Sequence, residues 1–222
     1  MTAPLPPPGT TDRMRLRRLP ERAVSRRAEL NEILDRALVA HVAVVDDGQP
    51  YALPVACGRD GDRLLLHGST GSRLFRRIGD GAPVCVTVTL LDGLVLARSL
   101  FESSMNYRSV LAIGSCAVLT GPAKLAALER LSEHLMPQRW AQARQPSPKE
   151  LAATSVLALP LDECSVKVRT GGPEDPPEDV ALPVWAGVVP LLRAWGEPVP
   201  ADDLAAGLPP PAYLDEWFAG RS

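Results

Sequence analysis

Cysteine is scarce in this 222-residue chain, and its placement excludes more than its number. Cys57, Cys85, Cys116 and Cys164 stand far apart, with no CxxC pair, so a clustered zinc or dithiol motif is ruled out. Each lies in or beside an apolar run, as buried reduced thiols do, which fits a reducing cytoplasm. No apolar run approaches the ~20 residues of a membrane helix. The N-terminus, MTAPLPPPGTTDRMRLRR, has no continuous apolar stretch of the kind a secretory signal needs. Charge of one sign is also missing: the net charge is −2, so no overall field draws the chain to nucleic acid or an anionic membrane. The three histidines, His41, His67 and His134, fall at no metal-ligand spacing. There is no GxGxxG, no P-loop lysine, no GxSxG elbow and no recognisable acid/base pair of carboxylates.

What is present centres on residues 51–78, YALPVACGRDGDRLLLHGSTGSRLFRRI. The spacing predicts a strand from Tyr51 to Cys57, a turn at 58–62 and a second strand from Arg63 to His67. A small-residue loop then opens a basic helix. Ser69, Thr70, Gly71, Ser72 and Arg73 sit where a helix start would present free N–H groups, beside hydroxyls and a guanidinium. That chemistry suits a phosphate. The same residues also suit an ordinary helix cap, and the local pattern does not choose between the two.

Along the chain, Pro20 to Ala37 reads as a helix with Leu30, Ile33 and Leu34 on one face. Leu38 to Val45 reads as a strand ending in the hairpin signal Asp46-Asp47-Gly48. Val84 to Leu91 is a strong strand, with a turn or bulge at Asp92-Gly93 before the chain continues extended to Ser99. Residues from 105 to 119 make a long strand kinked at Gly114. A helix follows Thr120-Gly121-Pro122, with Leu125, Leu128, Leu131 and Leu135 as its packing stripe. Residues 139–148 read as a loop and 149–153 as a short helix, followed by strands at 155–161 and 164–169. From Gly171 prolines and acids dominate, interrupted by the apolar island at 184–190. The last thirty or so residues are poorly patterned, with Tyr213, Trp217 and Phe218 available to bury against a surface. Successive hairpins with peripheral helices predict a mainly antiparallel closed or split barrel.

Five segments in this order, YALPVA at 51–56, LHGSTGSR at 66–73, PVCVTV at 83–88, NYRSV at 106–110 and WAGVVP at 185–190, carry a resemblance. Together the chain resembles the pyridoxamine 5′-phosphate oxidase-related, FMN-binding split-barrel family, in the branch of nitroimidazole-resistance and flavin-nucleotide-binding proteins. The resemblance implies a mainly β fold with flanking helices, a six-stranded antiparallel split barrel. It divides the chain into a mobile arm at 1–14, the barrel domain at 15–170 and a proline-rich extension at 171–222. It implies a homodimer with one FMN at each of two sites along the interface.

On that resemblance the FMN phosphate sits on Ser69, Thr70, Gly71, Ser72 and Arg73. Pro54 and Val55 border the isoalloxazine ring, and His67 ends its strand near the flavin. Tyr107, Arg108 and Ser109 approach the cofactor from the same or the partner chain, and Trp185 lies over or beside the ring. The implied activity is that of a small flavin oxidoreductase working through flavin N5. A non-enzymatic flavin carrier is the second reading. Haem or deazaflavin on the same barrel is the third, and haem would take His67 or His41 as its axial ligand. Arg108 and Arg169 are either charge partners of a reduced flavin or ordinary ion-pair residues. The family's true pyridoxamine phosphate oxidases carry a C-terminal tryptophan and arginine-rich segment that grips substrate phosphate. This chain ends DEWFAGRS without that pattern, so its C-terminal segment lends vitamin B6 oxidation no support.

Overall fold

The computed structural model describes residues 5–220, and the side chains of 5–217. Phe218 and residues 1–4 of the N-terminal arm therefore lie outside the described side chains. A short 3-10 turn, Pro20–Arg22, precedes β1 (Ala23–Val24) and α1 (Arg27–Arg36). Next come β2 (Val39–Asp46), β3 (Gln49–Asp60), β4 (Arg63–Ser69), α2 (Arg73–Gly79), β5 (Val84–Leu96), β6 (Ser104–Gly114) and β7 (Ala117–Val118). Helices α3 (Gly121–Leu135), α4 (Arg139–Gln142) and α5 (Pro148–Ala153) lead to β8 (Thr154–Pro160) and β9 (Cys164–Arg169). The extension adds β10 (Gly187–Pro190) and α6 (Tyr213–Gly220).

The strand order is β1-β9-β6-β5-β2-β3-β4-β8-β7, with β10 added on β5, and all pairings are antiparallel. The split barrel is thus as expected, but with ten strands rather than six. Three of the ten, β1, β7 and β10, are only two to four residues each, too short to leave a periodic pattern in sequence. β3 belongs to both halves of the barrel, pairing β2 through Ala56 and β4 from Cys57 onward. The far ends meet covalently, because β7 follows β6 after the kink at Gly114 and then pairs β8.

Local chemistry sets these elements. Asp47 and Gly48 both take positive φ (48° and 77°), the geometry of a two-residue hairpin turn that matches strand twist. β2 alternates, with Ala40, Val42 and Val44 inside and Val39 and His41 outside. The sequence helix over Pro20–Ala37 starts later, at Arg27, because residues 23–24 pair with β9 instead. At Asp92-Gly93 the alternative resolves to a bulge inside one continuous β5.

Two cores result. The barrel interior collects Leu64 and Leu66 of β4, Val84, Val86, Val88 and Leu90 of β5, and Leu157 and Leu159 of β8. A second core outside the barrel joins Leu65, Val156 and Ala158 to Ala127 and Leu131 of α3. β4 and β8 are therefore covered on both faces, which is why they read as unbroken apolar runs, LLL and VLAL. Each fully buried leucine contributes ~1.5–3 kcal/mol of transfer free energy. Residues 5–14 are tethered to the barrel: Met14 is buried, Gly9 N donates to Cys164 O at 2.7 Å, and Arg13 pairs with Glu163 at 2.5 Å. Among the described residues no helix is long and apolar enough to cross a membrane.

Gly68 marks where β4 needs a missing side chain. A Cβ there would lie 2.3 Å from Cε2 of Phe75, a ring only 5 % exposed and held in the barrel core. Gly68→Ala is expected to destabilise by ~1–3 kcal/mol, the usual range for overpacking. Urea unfolding should show a lower midpoint; an unchanged midpoint would mean that Phe75 relocates without cost.

Candidate functional site

The loop between β4 and α2 is a tight, self-bonded turn. Gly71 N donates to Ser69 Oγ at 3.1 Å, and Ser72 N donates to Ser69 O at 3.0 Å. Thr70 bonds Ala153 O through both its N–H (2.9 Å) and its hydroxyl (3.2 Å), tying the loop to the end of α5. Ser72 occupies the cap position of α2 but makes no capping bond with its side chain. Its hydroxyl is therefore not consumed by the helix, contrary to what a plain cap would show.

Arg73, the cation of this loop, is held from behind. Its Nε donates to Asp46 Oδ2 at 2.5 Å and its guanidinium lies 5.4 Å from the centre of the Tyr51 ring. Arg77 reaches the other oxygen of Asp46 at 3.3 Å. The hydrogen bond to Asp46 keeps the Arg73 guanidinium pKa above its ordinary value. Asp46 thus carries two arginines, and the pair retains net positive charge facing solvent.

The remaining residues expected around a flavin fall into separate places within one chain. Val55 is buried in β3, while Pro54 is exposed and pairs across to His41. Tyr107 and Ser109 lie on β6 opposite Leu91 and Thr89 of β5, whereas β2 near Asp46 runs past the other end of β5, at Cys85. The six-residue step from Cys85 to Leu91 spans about 20 Å of strand. Arg108 is engaged by Asp92 in a two-pronged pair (2.7 and 3.0 Å), with Glu32 at 3.7 Å, and the Asp92 hydrogen bond raises its pKa. Arg169 is 5 % exposed and donates to Asn106 Oδ1 at 2.7 Å, a structural contact within the sheet. Trp185 is 64 % exposed, just before β10.

His67 belongs to a different feature. By strand alternation it shares the outer face of β4 with Leu65, away from the barrel interior. There it lines a cleft of about 320 Å³ with Leu128, Met136 and Trp140, and with Arg139 and Arg144 among its polar groups. Its Nδ1 is buried and has no hydrogen-bond partner among the described residues. Desolvation lowers its pKa from the ordinary value, which keeps the ring neutral. A neutral imidazole on an apolar cleft is a ligand for a metal of borderline softness, iron included. The other two histidines differ: His41 is exposed on β2, and His134 Nε2 lies 2.7 Å from Ala37 O.

Sequence reasoning singled out His67 but missed the cleft around it. Leu128 of the packing stripe does pack against the α3 core but also lines the cleft, and residues 139–146, within a stretch whose sequence reads as loop, supply much of the remaining lining. Leu131 is indeed buried, but Leu125 is 40 % exposed and Leu128 faces the cleft. Arg139 and Trp140 give no signal, because the α4 turn that carries them is only four residues long, and Met136 sits at the C-cap of α3. The cysteines supply no reactive thiolate: burial pushes Cys57 and Cys116 up to about 12. Among the described residues no group of three or more His, Cys, Asp or Glu could hold a metal ion by protein ligands alone.

Comparison with known proteins gives this geometry a setting. A family model described as pyridoxamine 5′-phosphate oxidase matches residues 26–168. The chain is 45 % identical to a solved structure described as the FAD and haem binding protein from Mycobacterium smegmatis, with a TM-score of 0.86 over 89 % of this chain and 97 % of that one. It is 36 % identical to the flavocytochrome Anf3 from Azotobacter vinelandii, with a TM-score of 0.87 over 93 % of this chain and 96 % of that one. A candidate 5-nitroimidazole antibiotic resistance protein from Bacteroides thetaiotaomicron shares the fold at 22 % identity, with a TM-score of 0.55 over 66 % of this chain and 86 % of that one. No curated protein matches the chain.

The His67 environment makes a pH prediction. The unfolded chain protonates near pH ~6.5, whereas the folded ring resists protonation until lower pH. Stability is therefore highest above that range and falls as pH drops through it. Urea midpoints between pH 8 and pH 5 should decline less steeply in His67→Gln than in the parent protein. Equal slopes would place the depressed titration elsewhere.

Proposed function

The chain belongs to the pyridoxamine 5′-phosphate oxidase family, and from that membership we propose that it is a two-cofactor redox protein that binds a flavin and a haem. The single observation that carries the haem half is the His67 cleft: a neutral imidazole with an orphaned Nδ1, set among apolar side chains with arginines beside it. The two relatives of 45 % and 36 % identity, described as an FAD and haem binding protein and as a flavocytochrome, support the pairing. In this reading His67 would hold the haem iron, in preference to His41 and His134. The cleft volume is at the low end of the ~300–1,000 Å³ typical of ligand pockets.

The flavin half rests on the loop Ser69–Arg73. The Ser72 hydroxyl, the loop N–H groups and the Arg73 guanidinium would take the flavin phosphate. FMN is the flavin the sequence pointed to. The relative described as FAD-binding favours FAD, which contains the same phosphate, so the role of the loop is unchanged. When bound, the flavin supplies hydride and electron transfer and the haem supplies one-electron chemistry. The chain's own residues bind and orient. Asp46 fixes Arg73 beside Tyr51, so that one guanidinium edge is preset for an anion.

The flavin site is completed by a second copy of the chain. Within one chain Tyr107, Arg108, Ser109 and Trp185 do not meet the phosphate loop, and a two-fold partner would bring them there. The protein also exposes a broad apolar surface suited to a partner, including Leu94, Phe101 and Met105 around the β5–β6 hairpin. Leu100 and Phe101 at its tip are 96 % and 92 % exposed. The loop that carries them is closed by Ser103 Oγ donating to Ser99 O, and Arg98 beside it pairs with Asp175 at 2.8 Å. Cytoplasmic location is part of the same proposal, from four free thiols and the absence of disulfides among the described residues.

Purified protein should show both a flavin spectrum and a Soret band. His67→Ala should abolish the Soret band and leave flavin binding intact, and a retained band would move the ligand elsewhere. Arg73→Ala with Ser72→Ala should weaken flavin affinity about 10- to 100-fold, the value of one or two charge-assisted hydrogen bonds. Unchanged affinity in a fluorescence titration would remove the loop from the site. Light scattering should give about twice the 23.8 kDa monomer mass; a monomer that still binds flavin would contradict the shared site.

A further inference from the structure

We propose that Arg139 receives a haem propionate in the His67 cleft, and that the C-terminal helix α6 holds Arg139 in place through Gln142. This rests on the haem reading above and adds to it a positioning role for a segment outside the barrel. Two arginines line the cleft, and their carboxylate partners distinguish them. Arg144 is committed to Glu150, donating at 2.7 and 3.0 Å. That pair, with the Ser147 cap, holds the Glu150 carboxyl down to about 2. Arg139 has no carboxylate among the described residues. Its one side-chain bond runs from Nη1 to Gln142 Oε1, at 2.7 Å. A guanidinium has five N–H donors in a planar fork, so the remaining donors match a carboxylate.

Gln142 Oε1 accepts a second bond, from the Tyr213 hydroxyl of α6, at 2.6 Å. Both lone pairs of that carbonyl oxygen are thus used, which fixes the amide between the two residues. The chain of contacts runs Tyr213 to Gln142 to Arg139 to the cleft. Two more bonds brace the corner where α4 begins. Trp217 Nε1 donates to Pro137 O at 3.0 Å, and Gln138 Nε2 donates to Glu216 Oε2 at 2.8 Å. The rings of Tyr213 and Trp217 lie 5.6 Å apart, so the α6 side chains act as one unit. A four-residue helix cannot hold itself together in water. Neighbours must hold α4, and Arg139 and Trp140 with it: α3 contributes through Glu133, which accepts from Gln138 N at 2.9 Å, and α6 through the contacts above.

The test uses the full-length haem-loaded protein and measures haem transfer to excess apomyoglobin. Tyr213→Phe should release haem about 2- to 10-fold faster than the parent, as loss of one hydrogen bond would give. Arg139→Met should release it faster still, and Arg139→Lys should fall between the parent and Arg139→Met. A purely structural role would act on any macrocycle. The proposal instead predicts that these differences collapse when the protein is loaded with haem dimethyl ester, which lacks the propionate charges. Parent-like release rates in Tyr213→Phe and Arg139→Met overturn the relay. So does an equal acceleration with the ester. A parent protein with no Soret band overturns the haem reading itself and the relay with it, whereas a normal Soret band with unchanged rates overturns the relay alone.

Discussion

The double burial of β4 and β8 is the constraint on which the rest of the structure depends. Leu64 and Leu66 point into the barrel, and Leu65 points out beneath α3. A strand with one wet face would leave α3 without a seat. With α3 seated, the next outward residue, His67, is carried under the same roof and loses much of its water. At Gly68 the strand passes close to Phe75, and the following residues turn at once into the anion loop. Core packing, the candidate haem ligand and the candidate phosphate loop are thus consecutive on one strand. A register slip of one residue would exchange barrel core for cleft and destroy all three.

Arginine is abundant in this chain, and the fold decides which arginines are available. Arg108 is spent on Asp92, Arg144 on Glu150, and Arg98 on Asp175. Arg73 is paired too, but its partner Asp46 is shared with Arg77, so the site keeps positive charge. Arg139 meets only a neutral amide. Cations without a carboxylate are the ones that a carboxylate or phosphate ligand can claim, because no existing pair must be broken. Each candidate cofactor site holds an arginine whose charge is not fully offset: Arg139 has no carboxylate partner among the described residues, and Arg73 shares Asp46 with Arg77.

The extension beyond the barrel is more than a linker. β10 adds a strand to β5 at Gly93 to Leu96, and Leu191 N donates to Asp92 O at 3.0 Å. The chain then runs exposed until α6 lands on the α3–α4 corner. A proline-rich stretch suits this path, since each proline limits the conformations that must be given up on ordering. Packing at both ends spans two sides of the barrel, and the second end reaches the His67 cleft.

Sequence by itself determined the antiparallel barrel, because hairpin turns such as Asp47-Gly48 and period-2 alternation are local signals. It also determined the position of the hydroxyl-rich loop at 69–72 and the stripe that places Leu131 in the core. It pointed to His67 without saying what surrounds that ring. Tertiary structure decided the rest. The short strands β1, β7 and β10 exist only through their partners, and the start of α1 was set by competition with a strand pairing. The cleft joins β4 to α3, α4 and α5 across some eighty residues, so its lining leaves no shared pattern in sequence. The α6 contacts span a similar separation and rest on single polar atoms, such as Gln142 Oε1. Availability of an arginine is likewise a property of its distant carboxylate, which only the folded chain brings into reach.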